Sequence, residues 1–236
     1  MATIVVVHGA WSAAFAWRRL RTLLRASGHD LVTPTHTGLG ERWHLSAPSV
    51  TLDTHIQDVL GVLETEDLAD VTLVGHSYGG MVATGVADRA RDRIRQLVYL
   101  DAFVPHDGQC LFDLQPAEHR VRAEAQAREQ GQGYLVPANP MPPDTASEDL
   151  EWLMPRRRPQ PLATFSTPLR LTGGELTLPR TYIFCTRVGP ADSFRRFSLR
   201  ARSEPGWRYL ELDASHNPHI TMPDTLAGVL DEIARG

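Results

Sequence analysis

Ser77 lies between two glycines in the segment Gly75-His76-Ser77-Tyr78-Gly79, which follows an apolar run and precedes an amphipathic stretch. A strand, a sharp turn and a helix in this order lift a serine hydroxyl above a parallel sheet, where it can attack a carbonyl carbon. The flanking glycines leave room because the chain turns back tightly at the serine. The alternative interpretation is a glycine-rich turn with a helix-capping serine. The glycine spacing fits neither a dinucleotide-binding loop nor a phosphate-binding loop.

A nucleophilic serine needs a base that takes its proton. His216 follows the last predicted strand and precedes the last predicted helix, so we expect it at the same edge of the sheet as Ser77. An imidazole is the usual base near neutral pH, and we predict this role for His216. His219 is the rival in the sequence, but it lies closer to the helix and we assign it to structure.

The oxyanion that forms on the attacked carbonyl needs hydrogen-bond donors. The backbone amide of Tyr78, directly after the serine, is one predicted donor, because the first amides of the helix point at the space beside the hydroxyl. The amide of Ala10, in the turn that begins at His8 after the first predicted strand, is the other. The alternative is an ordinary turn in which His8 is hydrogen-bonded. We predict that His8 is structural and that Ala10 is a donor.

Short β-branched runs that alternate with helical patterns indicate the elements that hold these residues. The predicted strands are residues 3–8, 30–33, 71–75, 94–101, 181–185 and 207–212, and the predicted helices are about 15–27, 52–66, 79–90, 192–203 and 223–234. Strands that are apolar on both faces require helices on both sides of a parallel sheet. We therefore predict an α/β fold with a doubly wound, mostly parallel six-stranded sheet that binds ligands at the carboxyl ends of its strands.

Residues 105–179 break this alternation. They contain two predicted helices, at about 113–130 and 145–154, together with many prolines and no convincing strand. A loop of this length without structure is improbable inside a compact domain, so we predict an inserted helical cap over the sheet edge. Residues 1–104 and 180–236 then form the core of a single domain.

The composition of the chain excludes some catalytic residues and some classes of partner. The 24 basic residues are all arginine, which excludes a catalytic lysine from this chain. A formal charge of −4 offers no basic face for nucleic acid or for a membrane surface, and a small molecule is the expected partner. We expect Cys110 and Cys185 to be reduced thiols, and the absence of a secretory pattern at the N-terminus favours a cytoplasmic protein. No oligomeric state follows from the sequence, and a homodimer stays open.

Four segments of the chain, HGAW, GHSYGG, YLDAFVP and ELDASHNPH, resemble the α/β-hydrolase fold family. More narrowly, they resemble the branch that contains bacterial carboxylesterases, plant methylesterases of the salicylate-binding type and plant hydroxynitrile lyases. The resemblance implies a triad of serine, acid and histidine in that chain order, a helical cap, and no metal or organic cofactor. It implies Ser77 as nucleophile, His216 as base, and the amides of Ala10 and Tyr78 as the oxyanion hole.

The lyases of this branch differ from the chain at two positions. They carry a threonine where this chain has Gly9, and a lysine directly after the catalytic histidine, where it has Asn217. That lysine stabilises the departing cyanide by its positive charge. Since the chain contains no lysine, the resemblance favours ester hydrolysis over cyanohydrin cleavage.

The resemblance places the acid in the loop after strand 181–185, where this chain has Val188 and Gly189. The nearest carboxylate is Asp192, a few residues later. A wider turn at Gly189 and Pro190 would carry Asp192 back towards the histidine.

Two carboxylates therefore compete for the third triad position. We prefer Asp192, although an aspartate directly before a helix is also a good helix cap. Asp101 is the alternative acid, because some α/β hydrolases supply their carboxylate from the end of the preceding strand. Asp213, close to the histidine in sequence, is expected to orient its own loop.

A largely apolar acyl or aryl pocket is predicted under the cap. Core packing is the alternative for each of its aromatic and aliphatic members. The predicted substrate-binding residues are Trp11, Phe103, Leu114, Trp152 and Phe165. The arginine triplet at 156–158 is interpreted as an exposed basic turn between prolines, with contact to an anionic substrate or partner as the alternative.

These features together predict a carboxylesterase-like serine hydrolase that cleaves a carboxylic ester or thioester through an acyl-enzyme. Two other classes stay open. One is a lyase or cyclase-type tailoring enzyme that uses the same serine and histidine without an acyl-enzyme. The other is a non-catalytic small-molecule receptor. The sequence does not identify the acyl group or the alcohol.

Overall fold

Six parallel strands form the central sheet of the computed structural model, which describes residues 1–174, 176–188 and 192–236. The strands in chain order are β1 (Thr3–Val7), β2 (Asp30–Val32), β3 (Val71–His76), β4 (Ile94–Leu100), β5 (Leu135–Val136), β6 (Gln160–Pro161), β7 (Arg180–Cys185) and β8 (Trp207–Leu212). The sheet order is β2-β1-β3-β4-β7-β8, and β5 pairs with β6 in a separate two-stranded antiparallel sheet. The predicted parallel α/β sheet is confirmed.

The helices alternate with the strands and cover both faces of the sheet. They are α1 (Arg18–Ala26), α2 (Leu52–Thr65), α3 (Gly79–Arg89), α4 (Ala117–Gln130), α5 (Ser147–Leu153), α6 (Ala163–Ser166), α7 (Arg195–Ser203), α8 (Pro218–Thr221) and α9 (Pro223–Arg235). One buried cluster joins α1 and α9 to the sheet, and a second joins α2, α3 and α7 to the other face. Strands β1 and β4 are apolar on both faces because both clusters draw on them.

The cap segment (residues 105–179) connects β4 to β7 and contains α4, α5, α6 and the antiparallel β5–β6 pair. The sequence predicts no strand here, and this prediction is wrong because two-residue strands are too short to show an alternating pattern. The helix predicted from 113 begins at Ala117, after Pro116, and the preceding turn, Leu111–Leu114, is a 3-10 helix.

Cys110 and Cys185 are both buried and free, as predicted. None of the described helices is long and apolar enough to cross a membrane. The wider turn predicted at Gly189 and Pro190 lies outside the described residues.

Candidate active site

The turn between β3 and α3 holds Ser77 in a left-handed backbone conformation with φ of 55°. A non-glycine residue adopts this conformation only at a cost, so the surrounding chain must hold it in place. A Cβ at Gly79 would lie 2.1 Å from the carbonyl oxygen of Val7, and one at Gly80 would lie 2.1 Å from that of Phe103. Both positions therefore require glycine, because the start of α3 contacts two neighbouring backbones directly.

Ser77, His216 and Asp101 form one continuous line of hydrogen bonds. Nε2 of His216 lies 3.0 Å from Oγ of Ser77, and Nδ1 lies 2.7 Å from Oδ2 of Asp101. Since a carboxylate accepts, Nδ1 carries the proton and Nε2 is left to accept from the serine hydroxyl. Asp101 is buried, has a φ of 42°, and its Oδ1 accepts a hydrogen bond from the amide of Cys185 at 3.3 Å. Burial raises the pKa of Asp101, while its hydrogen bond to His216 opposes this shift.

The preference for Asp192 as partner of the histidine is wrong, and the alternative, Asp101, takes that position. Oδ1 of Asp192 accepts hydrogen bonds from the amides of Phe194 and Arg195 at 3.1 and 2.9 Å, and Oδ2 pairs with the Arg195 guanidinium at 2.9 Å. The amides at the start of α7 thus hold this carboxylate, as the capping alternative predicts.

Several aromatic rings hold His216 and its loop in place. The ring of Phe194 stacks on the imidazole at a centroid distance of 4.8 Å and an angle of 10°. Nε2 of His76 donates a hydrogen bond of 2.8 Å to the carbonyl of His216. The rival histidine, His219, is buried and stacks on Trp17 at 4.1 Å. Burial lowers the pKa of His219 to about 3, so it packs as a neutral ring.

The amides predicted to hold the oxyanion belong to residues close to Ser77. Tyr78 follows it in the chain, and a Cβ at Gly9 would lie 3.1 Å from Cβ of Ser77, so the turn that carries Ala10 packs closely against the serine. Neither the amide of Ala10 nor that of Tyr78 has a hydrogen-bond partner within the described residues. His8 is fully buried, and its Nδ1 donates to the carbonyl of Gly9 at 2.9 Å.

A stack of buried histidines lies behind this turn. The rings of His8 and His36 are 4.0 Å apart, and those of His36 and His55 are 4.6 Å apart. Nδ1 of His55 is hydrogen-bonded to the hydroxyl of Tyr78 at 2.9 Å. Burial lowers the pKa of His8 and of His55 to about 4. In the described part of the chain, no three His, Cys, Asp or Glu side chains are grouped so that they could hold a metal ion.

A cavity of about 690 Å³ opens above Ser77 and His216, between the strand ends and the cap segment. Trp11, Phe103 and Phe165, three of the residues predicted to bind substrate, line it. The rings of Trp11 and Phe165 meet edge to face at 5.7 Å, so they form one aromatic wall.

Two of the residues predicted to bind substrate do not line the cavity. Leu114 is 2% exposed and belongs to the main core cluster, because the 3-10 turn at the base of the cap segment directs it inward. Trp152 packs edge to face on Phe15 at 5.6 Å and beneath the guanidinium of Arg18 at 4.1 Å. For both residues the core-packing alternative is correct.

Sequence reasoning missed several residues that line the cavity, among them Phe194, Met141 and Arg157. Arg157 belongs to the arginine triplet, and the prediction of an exposed turn is wrong for this member. It is partly buried, and its guanidinium donates to the carbonyl of Asn139 at 2.5 Å. Burial lowers the pKa of Arg157. The proline-rich surroundings show no period that would indicate which of the three arginines faces inward.

Comparison with known proteins covers nearly the whole chain. The model of the "Alpha/beta hydrolase family" matches residues 4–229. The carbendazim hydrolyzing esterase of Nocardioides sp. (strain SG-4G) is 43% identical over an alignment of 236 positions that covers 96% of this chain and 97% of that protein. The pyrethroid hydrolase of Sphingobium wenxiniae is 27% identical over 98% of this chain and 87% of that protein.

Solved structures agree with this assignment. An extracellular alpha/beta-hydrolase from a Paenibacillus species has a TM-score of 0.86 and 26% identity, and the match covers 100% of both chains. The resemblance found in the four sequence segments is thereby confirmed. Family match, relatives and fold lead to one conclusion: this chain belongs to the alpha/beta hydrolase family.

Proposed function

We propose that this chain is a serine esterase that cleaves small, largely apolar esters through an acyl-enzyme. The observation that carries the proposal is the line of hydrogen bonds from Ser77 through His216 to Asp101, which reaches the floor of an aromatic-lined cavity. Relatives of the chain are named esterases and hydrolases, in agreement with this activity.

The chemistry follows from the geometry of these three side chains. Nε2 of His216 takes the hydroxyl proton as Oγ of Ser77 attacks the carbonyl carbon, and Asp101 stabilises the imidazolium that forms. The unpartnered amides of Ala10 and Tyr78 donate to the oxyanion. Nε2 then returns the proton to the leaving alcohol, and a water molecule repeats the sequence on the acyl-enzyme.

Carbendazim is the first substrate that we propose for testing, because the relative with 43% identity is named for its hydrolysis. Carbendazim is a methyl carbamate on a flat benzimidazole. The aromatic wall of Trp11 and Phe165, together with Phe112 at 5.9 Å from Phe165, offers faces on which such a ring can stack. Attack of Ser77 on the carbamate carbonyl would release methanol.

The test compares wild type with Ser77→Ala on a short p-nitrophenyl ester and on carbendazim. We expect the variant to lose turnover by about 10⁴-fold or more while it stays folded, because the nucleophile is absent. Ser27→Ala, at the exposed end of α1, is the matched control and should keep wild-type activity. A fluorophosphonate should modify Ser77 in wild type, as read by peptide mass spectrometry. Full activity of Ser77→Ala would overturn the proposed function.

A further inference from the structure

Trp11, the residue after the proposed oxyanion donor Ala10, has a left-handed backbone with φ of 59°. For a bulky residue this conformation is unfavourable, and it persists only where neighbouring groups hold it. The two peptide planes on either side of Ala10 therefore need anchors. A rotation of these planes would turn the Ala10 amide away from the serine.

The first anchor comes from the core of the protein. Nδ1 of His8 donates to the carbonyl of Gly9 at 2.9 Å, and this carbonyl shares its peptide plane with the amide of Ala10. In a trans peptide the carbonyl and the N–H point in opposite directions. His8 therefore directs the Ala10 N–H away from itself.

The second anchor comes from the cap segment. Oε1 of Gln160, a residue of β6 with 0% exposure, accepts the amide of Trp11 at 3.0 Å. Its Nε2 donates to Oγ1 of Thr164 at 2.8 Å, and that hydroxyl donates to the carbonyl of Pro161 at 2.7 Å. The hydroxyl has one proton, which it donates to the carbonyl of Pro161, so it can only accept from Gln160. Gln160 must therefore direct its NH₂ at Thr164 and its oxygen at Trp11.

The Trp11 side chain is held by the same two-stranded sheet. Its indole Nε1 donates to the carbonyl of Val136 on β5, the partner strand of β6, at 2.9 Å. Both the backbone and the side chain of Trp11 are thus hydrogen-bonded to the cap segment rather than to the sheet.

We propose that Gln160 is a positioning residue for the oxyanion hole. Through the Trp11 amide it fixes the peptide plane that follows Ala10, as His8 fixes the plane that precedes it, and the two together set the orientation of the Ala10 N–H. The inference rests on the proposed function, since it concerns the donors of that reaction. Three observations carry it together. The Gln160 amide group is buried, both of its ends are hydrogen-bonded, and it binds Trp11, the strained residue directly after the donor Ala10.

The experiment measures kcat and KM of Gln160→Met on a short p-nitrophenyl ester, with kcat expressed per site titrated by fluorophosphonate. Methionine has a similar shape but does not hold the Trp11 amide. Removal of an oxyanion donor typically costs about 10²–10³ in kcat, and a displaced donor should cost less. We expect kcat to fall by about 10- to 100-fold, with KM within about 3-fold of wild type. Affinity for a trifluoromethyl ketone, which forms an oxyanion on Ser77, should fall by the same factor as kcat/KM.

Two further variants separate positioning from simple loss of stability. Gln160→Glu keeps an acceptor for the Trp11 amide, and at this buried position its carboxyl is expected to be protonated, so that it can still donate to Oγ1 of Thr164. This variant should return kcat to within about 10-fold of wild type. Gln96→Met is the matched control, because Gln96 donates to Thr72 and to the carbonyl of Ile233 on the remote side of the sheet. This control should lower the melting temperature and leave kcat unchanged.

The outcomes distinguish the two proposals. A wild-type protein without turnover and without labelling of Ser77 overturns the proposed function and this inference with it. An active wild type with Gln160→Met at wild-type kcat, or changed only in KM, overturns the inference alone. If Gln160→Met does not fold, Gln160→Asn replaces it, since the side chain that is one methylene shorter withdraws the acceptor while it keeps both polar groups. Wild-type kcat in Gln160→Asn then overturns the inference.

Discussion

The sheet edge and the cap segment line the same cavity, but different forces shape them. At the sheet edge, Ser77 and Asp101 have left-handed backbones that are held by close backbone contacts and by a line of hydrogen bonds. In the cap segment, helices of different lengths and the two paired strands β5 and β6 are joined by proline-rich turns, and aromatic side-chain packing adds to a few hydrogen bonds with the core. We therefore expect changes of backbone geometry at the sheet edge to alter turnover most, and exchanges of aromatic cap side chains to alter substrate choice most.

The sharpest test of this comparison is the replacement of Asp101, the carboxylate that is hydrogen-bonded to His216. Asp101→Asn should lower kcat by about 10³- to 10⁴-fold, because an asparagine amide can hold His216 in the wrong tautomer. Asp192→Asn is the matched control and should change kcat by less than about 10-fold and stability little, since an asparagine oxygen caps a helix about as well as a carboxylate oxygen. Steady-state kinetics on a short p-nitrophenyl ester measure both. Equal losses in the two variants would contradict the assignment of Asp101.

Acid should destabilise the sheet-edge region through its buried histidines. Burial lowers the pKa of His8 and His55 to about 4, from an ordinary value of 6.5, so between these values the unfolded chain binds more protons than the folded one. Their stabilisation is complete above pH 6.5 and is lost as the pH falls towards 4, at about 1.4 kcal/mol per pH unit for each group. Urea unfolding at pH 7, 6 and 5 measures this slope. A free energy of unfolding that stays constant or increases as the pH is lowered from 7 to 5 would refute the prediction.

Exchange of a cap side chain should alter selectivity more than turnover. Phe165→Leu removes one face of the aromatic wall and should lower the ratio of kcat/KM for aryl over alkyl esters by about 10-fold, since an aromatic pair contributes about 0.5–1.5 kcal/mol. Phe184→Leu, a buried phenylalanine of β7 outside the cavity, is the control for lost packing. The same fall in the selectivity ratio in both variants would show that the wall does not select aryl groups.

The smallest effect is expected at Arg157. This side chain lines the cavity and has no carboxylate partner among the described residues, so it can attract a negatively charged substituent. Arg157→Met should lower kcat/KM for esters with a carboxylate substituent by about 3- to 10-fold relative to neutral esters. Arg158→Met, whose guanidinium lies over Trp43, should leave the ratio unchanged. An unchanged ratio in Arg157→Met would assign that arginine to structure.

The parts of the site that could be predicted from the sequence are those in which local residues fix the geometry. The glycines around Ser77 and the strand-to-helix change indicate the turn at once. His216 follows from its place after the last strand. The choice between Asp101 and Asp192 as partner of His216 could not be predicted. The strands β4 and β7 are neighbours in the sheet, so a carboxylate after either strand can reach the histidine. The structure distinguishes the two carboxylates, because Asp101 is hydrogen-bonded to His216 whereas Asp192 accepts from the amides at the start of α7.

The cap residues could not be predicted for a different reason. Leu114 and Trp152 have the composition of a pocket lining, but their direction depends on how short pieces pack on the core. A hydrophobic residue in a seven-residue helix or a single turn shows too little periodicity to indicate which side is buried. The hydrogen bond between Gln160 and the Trp11 amide joins residues 149 positions apart, and no local sequence pattern indicates such a pair.

Because the carboxylate that binds His216 comes from the end of β4, the connection from β7 to α7 contains none of the three hydrogen-bonded side chains. Val188 and Phe194, two of the described residues of that connection, nevertheless line the cavity, and the Phe194 ring lies flat on His216. We therefore expect that this connection tolerates changes of length that alter the cavity wall, provided that an aromatic ring remains over the imidazole. Libraries that vary it should yield variants with new substrates at a higher rate than libraries that vary the turn at Ser77.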